Sequence, residues 1–565
     1  MEGYAAAPKV SRRAPWRFAA LFLIVPLFLS PAHILAQDGQ GHHLDQKLHP
    51  IKHIIVIYQE NWSFDSLYGL FPGANGLFKS SAASLTQRDR LTGQPYKSQL
   101  GQTFDLVSGS LSLTTPPQPI NNNLSPAQID TRFPADLDTL LPYNLVTKAN
   151  LQSSDKTGDI VHRYWHEQSQ INHGKMNWFV TWSDNPGLVM SYFDATNLPE
   201  GKLAQRYTMD DNFFHAAFGG SFLNHQFFIA AAAPVYPNAP ASLQATLDAS
   251  GQLALDPATG KIVHDGTITP IGLPSFSVPG STFDKNYAVN TIFSVNLVPT
   301  FSTPGSTSLL PSQNDSNRAD TTRPYIPTIG DRLSEKQVSW KWYSGGWDNA
   351  LASSASNPAN NGTVPANPPV DTLFQWHHQP FAYYDHYAPW INGQRNLVSA
   401  AHLQDETAFF LDLQSHDLPA VSFIKPLGPN NEHPGYADLL QGQQHVADIV
   451  KAVRESEYWE HSLIIVTYDE HGGRWDHVSP PTKNGIWGDG SRVPAIVIGP
   501  FAKRGFVDHT EHDTLSILKT IEQRFGLAPL SAFDAKASSL DSSLTLSGEE
   551  HLQPEVTHFP GKHQP

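Results

Sequence analysis

The sequence predicts an α/β fold built on a mostly parallel sheet with helices packed on it. Three observations carry this: four short apolar runs without alternation, helical periodicity between and after them, and polar or Gly/Pro residues closing each run. Continuous apolar runs read as strands buried on both faces, as parallel strands are. Their alternation with helices is the pattern of a layered α/β domain.

The expected parallel strands are "IKHIIVIY" (51–58), "LPAVSFIKP" (418–426), "HSLIIVTYDE" (461–470) and "RVPAIVIGP" (492–500). Spacing then places two helices. Over 438–456, Leu439, Val446, Ile449, Val450 and Val453 share one face. Over 513–527, Asp513 caps, Leu515, Leu518, Ile521 and Phe525 form a stripe, and Gly526 ends the helix. Residues 235–370 are rich in Pro, Ser, Thr, Asn and Gly, with short β-like pieces. They predict a loop-rich insertion that forms a cap or subdomain. Residues 531–565 read as a mostly irregular C-terminal tail. The main domain is expected over 51–530.

The N-terminus reads as an export signal over 1–36. Arg12, Arg13 and Arg17 precede the apolar "FAALFLIVPLFLS", and Ala36 offers a small residue for cleavage. The run is short for a spanning helix and is broken by Pro26. Residues 37–50 then form a linker. A periplasmic or secreted location follows, with an uncleaved membrane anchor as the alternative.

Composition narrows the chemistry. A net charge of −15 argues against a nucleic-acid partner, which calls for a basic surface. The chain has no cysteine, so disulfides, thiolate metal sites and cysteine nucleophiles are excluded. Histidine, carboxylates and Asn are what remains for holding a transition metal.

Glu60 and Asn61 end the first strand, and Asp469 and Glu470 end the third. Ligands of open α/β sheets sit at the carboxyl ends of the strands. Two carboxylates there repel unless a cation holds them. In "TYDEHGGRWDHVSPP", Gly472 and Gly473 let the chain turn back, which makes Asp476 and His477 further metal-ligand candidates. "FHAAFGGSFLNHQ" places Ser221 after two glycines; alone, it fits an ordinary helix N-cap serine. "LGPNNEHPGY" puts Glu432 and His433 in a loop just after a strand. His162, His166 and His173 lie in one stretch, and His377, His378 and His386 in another.

Together "IKHIIVIYQENWSFDSLYGLFPG", "DIVHRYWHEQSQINHGKM", "GGSFLNHQ", "FIKPLGPNNEHPGY" and "YDEHGGRWDHVSPP" resemble the bacterial phosphoesterase family of phospholipases C and acid phosphatases. The resemblance implies an alkaline-phosphatase-like fold and one divalent metal ion. By motif the ion falls to Glu60, Asn61, Asp469 and Glu470. Ser221 is implied as nucleophile, with His162, His378 and His433 as catalytic histidines around the phosphate. The implied substrate is a small phosphorylated molecule, with phospholipid among the options. All-oxygen ligation leaves Ca, Mg, Mn and Zn open.

A divalent ion would supply the positive charge that a phosphate ester needs and would activate the Ser221 hydroxyl. A phosphoserine intermediate follows, and protonated histidines would favour acidic to neutral pH. The phospholipase C branch usually carries Thr followed by Pro-Asn-Arg, whereas Ser221 precedes Phe-Leu-Asn-His. Phosphate monoesters are therefore expected ahead of phospholipid diesters. Trp62 stands where the family often has Arg. A sulfatase would need a Cys/Ser-x-Pro-x-Arg motif and a Ser-His-Asp esterase G-x-S-x-G; neither surrounds Ser221. A non-catalytic exported binding protein is the remaining rival.

Overall fold

In a computed structural model of the chain, β1 (His53–Gln59) runs through the middle of the sheet, with six of its seven residues buried. The structure describes residues 47–88, 93, 95, 141–234, 241–258, 262–266, 268–269, 287–290 and 326–546, without 356, 364–370, 372 and 392. These all fall within one unit of the chain, Asp45–Pro565. The expected leader over 1–36, the linker up to 46 and the tail beyond 546 lie outside the described residues.

The other strands are β2 (Thr208–Asp210), β3 (Trp340–Ser344), β4 (Leu403–Asp405), β5 (Val421–Lys425), β6 (Ser462–Tyr468), β7 (Ala495–Ile498) and β8 (Phe506–Asp508). Their order is β4-β3-β5-β1-β6-β7-β2-β8. The two β1 neighbours, β5 and β6, are both parallel to it. This explains the unbroken aliphatic run: the strand has protein on both faces. Its register with β6 ends on Gln59 opposite Tyr468. Glu60 and Asp469 therefore leave the sheet side by side.

The fourth apolar run departs from expectation. β7 is antiparallel to both β6 and β2. The reason is in the link: residues 469–494 form turns and no helix, and a parallel neighbour needs a crossover, usually helical. The sheet remains mostly parallel.

The expected insertion also needs correcting. Its later part supplies β3, which pairs in parallel with β4 and β5. The strand reads "WKWYS" and buries Trp340, Trp342 and Tyr343. Aromatic content with a central Lys hides it within a Pro/Ser-rich background. The described part of the tail is irregular but packed, with Leu540 and Leu544 buried.

The helices used below are α1 (Phe64–Tyr68), α2 (Tyr164–Ile171), α3 (Pro199–Arg206), α4 (Ser221–Ala230), α5 (Leu439–Arg454) and α6 (Thr514–Phe525). α5 buries the apolar face anticipated from its spacing. α6 begins at a capping box between Asp513 and Ser516 and stops at Gly526, whose φ is 62°. α4 is buried on all sides, which suits its apolar sequence. Among the described residues no helix is long and apolar enough to cross a membrane.

A buried ion pair ties α1 to the loop after β6. Arg492 is fully buried and uses all its donors: Nε and Nη2 on Asp476, Nη2 also on Asp65, and Nη1 on the carbonyls of Asn75 and Asp211. Arg492→Met strands two buried carboxylates. The expected loss is about 3–5 kcal/mol in urea unfolding. A change under about 1 kcal/mol would show that this knot does not support the loop.

Candidate active site

Three distant segments meet at the carboxyl end of β1. Ser221 Oγ donates a hydrogen bond to Glu60 Oε2 at 3.0 Å. Asn61 N donates to Asp469 Oδ1 at 3.1 Å. Glu60, Asn61, Asp469 and Glu470 are all fully buried, and Ser221 is 4% exposed. Ser221 is not the N-cap of its helix: Gly220 holds that position and makes no side-chain cap bond. The hydroxyl is thus free to face Glu60.

Local backbone geometry permits the convergence. Asn61 sits in the left-handed region with φ 66°. Gly472 passes so close beneath it that an added Cβ would lie 2.2 Å from the Asn61 carbonyl oxygen. Gly219 likewise leaves no room for a Cβ against Tyr164 N, at 2.4 Å. The Gly-Gly pairs before Ser221 and after His471 are therefore steric requirements of the site.

The donor set fits a hard cation. Asn61 Oδ1, Asp469 Oδ2 and Glu470 Oε1 are buried and make no hydrogen bond. His162 explains the amide's orientation. Its Nδ1 lies 2.5 Å from the Ile160 carbonyl oxygen and so carries the proton, leaving Nε2 to accept from Asn61 Nδ2 at 3.2 Å. Asn61 Oδ1 is then turned the other way. Burial, and then their mutual repulsion with Glu60, push Asp469 and Glu470 well above the ordinary carboxylate range. For Glu60, burial acts upward but Lys425 and His378 outweigh it and hold its carboxyl well below that range. Three such carboxylates ionise together only beside added positive charge.

The phosphoesterase family model matches residues 51–528, most of the chain. The chain belongs to the phosphoesterase family. It is 29% identical to non-specific phospholipase C6 of Arabidopsis thaliana over 197 residues, 28% of this chain and 38% of that protein. Over 147 residues it is 29% identical to non-hemolytic phospholipase C of Pseudomonas aeruginosa, covering 20% and 21% of the two chains. With phospholipase C A of Mycobacterium tuberculosis it shares 32% over 142 residues, 21% and 27% of the respective lengths. The chain thus spans under two fifths of the length of these relatives. A solved alkaline phosphatase superfamily protein from Vibrio parahaemolyticus matches at 14% identity and TM-score 0.21, covering 38% of this chain and 52% of that one. An overlap that partial carries no argument about function.

In this phosphoesterase the three expected histidines lie around the cluster in different ways. His162 orients Asn61 and lies 3.6 Å from Glu470 Oε1. His378 Nε2 lies 2.8 Å from Glu60 Oε1. His433 donates Nδ1–H to the Pro434 carbonyl at 2.5 Å, and its ring centre lies 5.9 Å from that of His162. Burial, aided by His433, lowers His162 to about 3, and burial likewise lowers His378 to about 4. Burial also lowers His433. The resting site holds neutral imidazoles where the sequence reading expects cations, because desolvation outweighs the nearby carboxylates.

Asp476 and His477 do not join the cluster. Asp476 is held by Arg492, and His477 Nδ1 by Asp65 Oδ2 at 2.7 Å. The chain does turn back at Gly472–Gly473, but a guanidinium already meets the returning acid. Trp62 also finds an account. Its ring lies 3.9 Å beneath the Arg474 guanidinium, and its Nε1 donates to the Glu432 carbonyl. The loop after β6 thereby places a buried arginine next to the position where the family often has one.

Three contributors were not singled out from sequence. Lys425 is buried at the end of β5 and touches Glu60 Oε1. His225 donates Nδ1–H to the Ser221 carbonyl at 2.7 Å and turns Nε2 towards Glu60 Oε1, 4.0 Å away. The i, i+4 spacing from Ser221 was the available signal for His225. Glu167 on α2 binds Gly219 N and Ser491 N and pairs with His215 at 2.9 Å and His471 at 3.4 Å. It fixes the loop carrying Ser221 relative to the loop carrying Glu470.

Behind the site lies a second carboxyl pair. Tyr468 Oη is 2.7 Å from Glu432 Oε2 and 3.1 Å from Glu200 Oε2, and Gln59 Nε2 donates to Glu432 Oε1 at 2.9 Å. The residues preceding Glu60 and Asp469 are thus held by these acids. Tyr68 also donates to Glu200, and the two carboxyls hydrogen-bond each other, which requires a proton held between them. Burial raises Glu200 to about 7, and burial with the Glu200 charge raises Glu432. Raised carboxyl pKa values stabilise the fold below the unfolded-state pKa, and that stability is lost as pH rises towards about 7. Glu200→Gln should gain on wild type by on the order of 1–3 kcal/mol between pH 5 and pH 8 in urea unfolding. Parallel pH profiles for the two proteins would contradict the shared proton.

Proposed function

We propose that this protein is an exported, metal-dependent hydrolase of phosphate esters that uses Ser221 as nucleophile. The observation that carries the reading is the Ser221–Glu60 hydrogen bond beside three unsatisfied ligand oxygens. Glu60, Asn61, Asp469 and Glu470 would hold the divalent ion. When bound, it supplies positive charge that acidifies a neighbouring hydroxyl and draws in an anionic ester.

The chain's own residues supply the rest. Glu60 takes the Ser221 proton in a hydrogen bond, which turns the oxygen's lone pairs outward towards phosphorus. Attack forms a phosphoserine, and the ester oxygen leaves with a proton. His433 is assigned as donor of that proton, since its Nδ1 is committed to its own backbone, Nε2 is left for the substrate, and its ring packs against His162 beside the cluster. An arriving phosphate favours the protonated ring. Water then attacks the phosphoserine, giving a proton to the now neutral His433 while Ser221 Oγ regains its own from Glu60, and phosphate or phosphomonoester is released. His162 and His378 act through Asn61 and Glu60.

For substrate, the relatives' names support phospholipid diesters, which reverses the order expected from the sequence motif. The Ser221-Phe-Leu-Asn-His stretch is the specific observation that favours monoesters as the second reading. A side-by-side assay on p-nitrophenyl phosphate, bis-p-nitrophenyl phosphate and phosphatidylcholine decides between them. Cleavage of phosphatidylcholine with release of phosphocholine is expected; turnover of the monoester alone would reject the diester reading. Ser221→Ala should lower every measurable turnover on the order of 10⁴-fold or more with an unchanged circular dichroism spectrum. Rates near wild type would remove Ser221 from its role.

A further inference from the structure

Glu60 meets two different environments. Its Oε2 accepts from Ser221. Its Oε1 faces His378 Nε2 at 2.8 Å and His225 Nε2 at 4.0 Å, and the Lys425 ammonium touches that same oxygen. The ligand atoms of Glu60, His225 and His378 lie within 4.8 Å of one another and are all buried. Of the three, His225 Nε2 makes no hydrogen bond, while Glu60 Oε1 is met by both His378 Nε2 and the Lys425 ammonium. Two nitrogens and one oxygen gathered like this form the donor set of a borderline metal ion.

An ion there would share Glu60 with the one assigned to Glu60, Asn61, Asp469 and Glu470, giving a two-metal centre. The Lys425 ammonium already stands at Glu60 Oε1. Its Nζ is fully buried, within 3.5 Å of the Gln59 carbonyl and 5.2 Å from the centre of the Tyr58 ring. The register explains the position: Ile57 pairs with Ile424, so Lys425 stands level with Tyr58, two residues before Glu60. His225 needs a positive group on this side as well. Its Nδ1–H is committed to the Ser221 carbonyl, so Nε2 presents a lone pair to a carboxylate oxygen. Two acceptors face each other stably only with a cation between them. Charge points the same way. The carboxylates of Glu60, Asp469 and Glu470 exceed one divalent ion by a single negative charge, which one ammonium cancels.

We propose that Lys425 is the built-in second cation of the centre: a positioning residue that occupies the Glu60–His225–His378 niche and restricts the site to one divalent ion. The assignment rests on the metal-dependent reading above and goes beyond it by setting the ion count and naming the residue responsible.

The test is the number of Mn²⁺ ions bound per full-length chain, measured by equilibrium dialysis with elemental analysis. Wild type and Lys425→Arg should bind one ion, and Lys425→Met two. A lysine that only balances charge for folding would leave the count at one in the folded variant. Should Lys425→Met not fold, Lys425→Gln is measured instead, since its amide keeps a donor on Glu60 without the charge; it too should bind two. Wild type or Lys425→Arg binding two ions, or folded Lys425→Met or Lys425→Gln binding one, overturns the assignment to Lys425. Wild type binding none sinks the metal-dependent reading itself, so the two failures are distinguishable.

Discussion

Repulsion among Glu60, Asp469 and Glu470 is the constraint around which this protein is organised. The three carboxyls are fully buried and belong to the ends of two adjacent parallel strands. Water cannot dilute their charge there. Lys425 meets Glu60 from β5, and backbone N–H groups of Asn61, Glu470 and Gly472 meet Asp469 and Glu470. These contacts leave several oxygens without a partner, the deficit that the proposed divalent ion would fill.

The surrounding groups keep that arrangement rigid. His162 fixes the face of Asn61, and Glu167 clasps the glycine turn before Ser221 together with His471. Arg492 draws Asp65 and Asp476 away from the centre into a knot of their own. Acids close in sequence are thus sorted in space by the one guanidinium or ammonium each can reach. Preorganised groups of this kind need no rearrangement when charge develops on a substrate.

Much of this was legible before any coordinates. Aliphatic runs revealed β1, β5 and β6 because parallel strands cannot disguise their burial. Glu60, Asn61, Asp469 and Glu470 stood out as polar residues placed where such strands end. The aromatic strand at Trp340–Ser344 escaped notice because Trp, Lys and Tyr do not form an aliphatic signature. The direction of β7 escaped because strand composition does not encode direction. Lys425 looked like an ordinary charged strand terminus; its meaning depends on register with β1, a relation between residues far apart in sequence. Asp476 and His477 looked like ligands because a turn was visible and the arginine that intercepts them was not.

Diffraction at the manganese absorption edge, from crystals grown with Mn²⁺, tests the central claim most directly. The account requires an anomalous peak enclosed by Glu60, Asn61, Ser221, Asp469 and Glu470. A peak at Asp65, Asp476 and His477 in its place, or no peak within reach of Ser221, would contradict it.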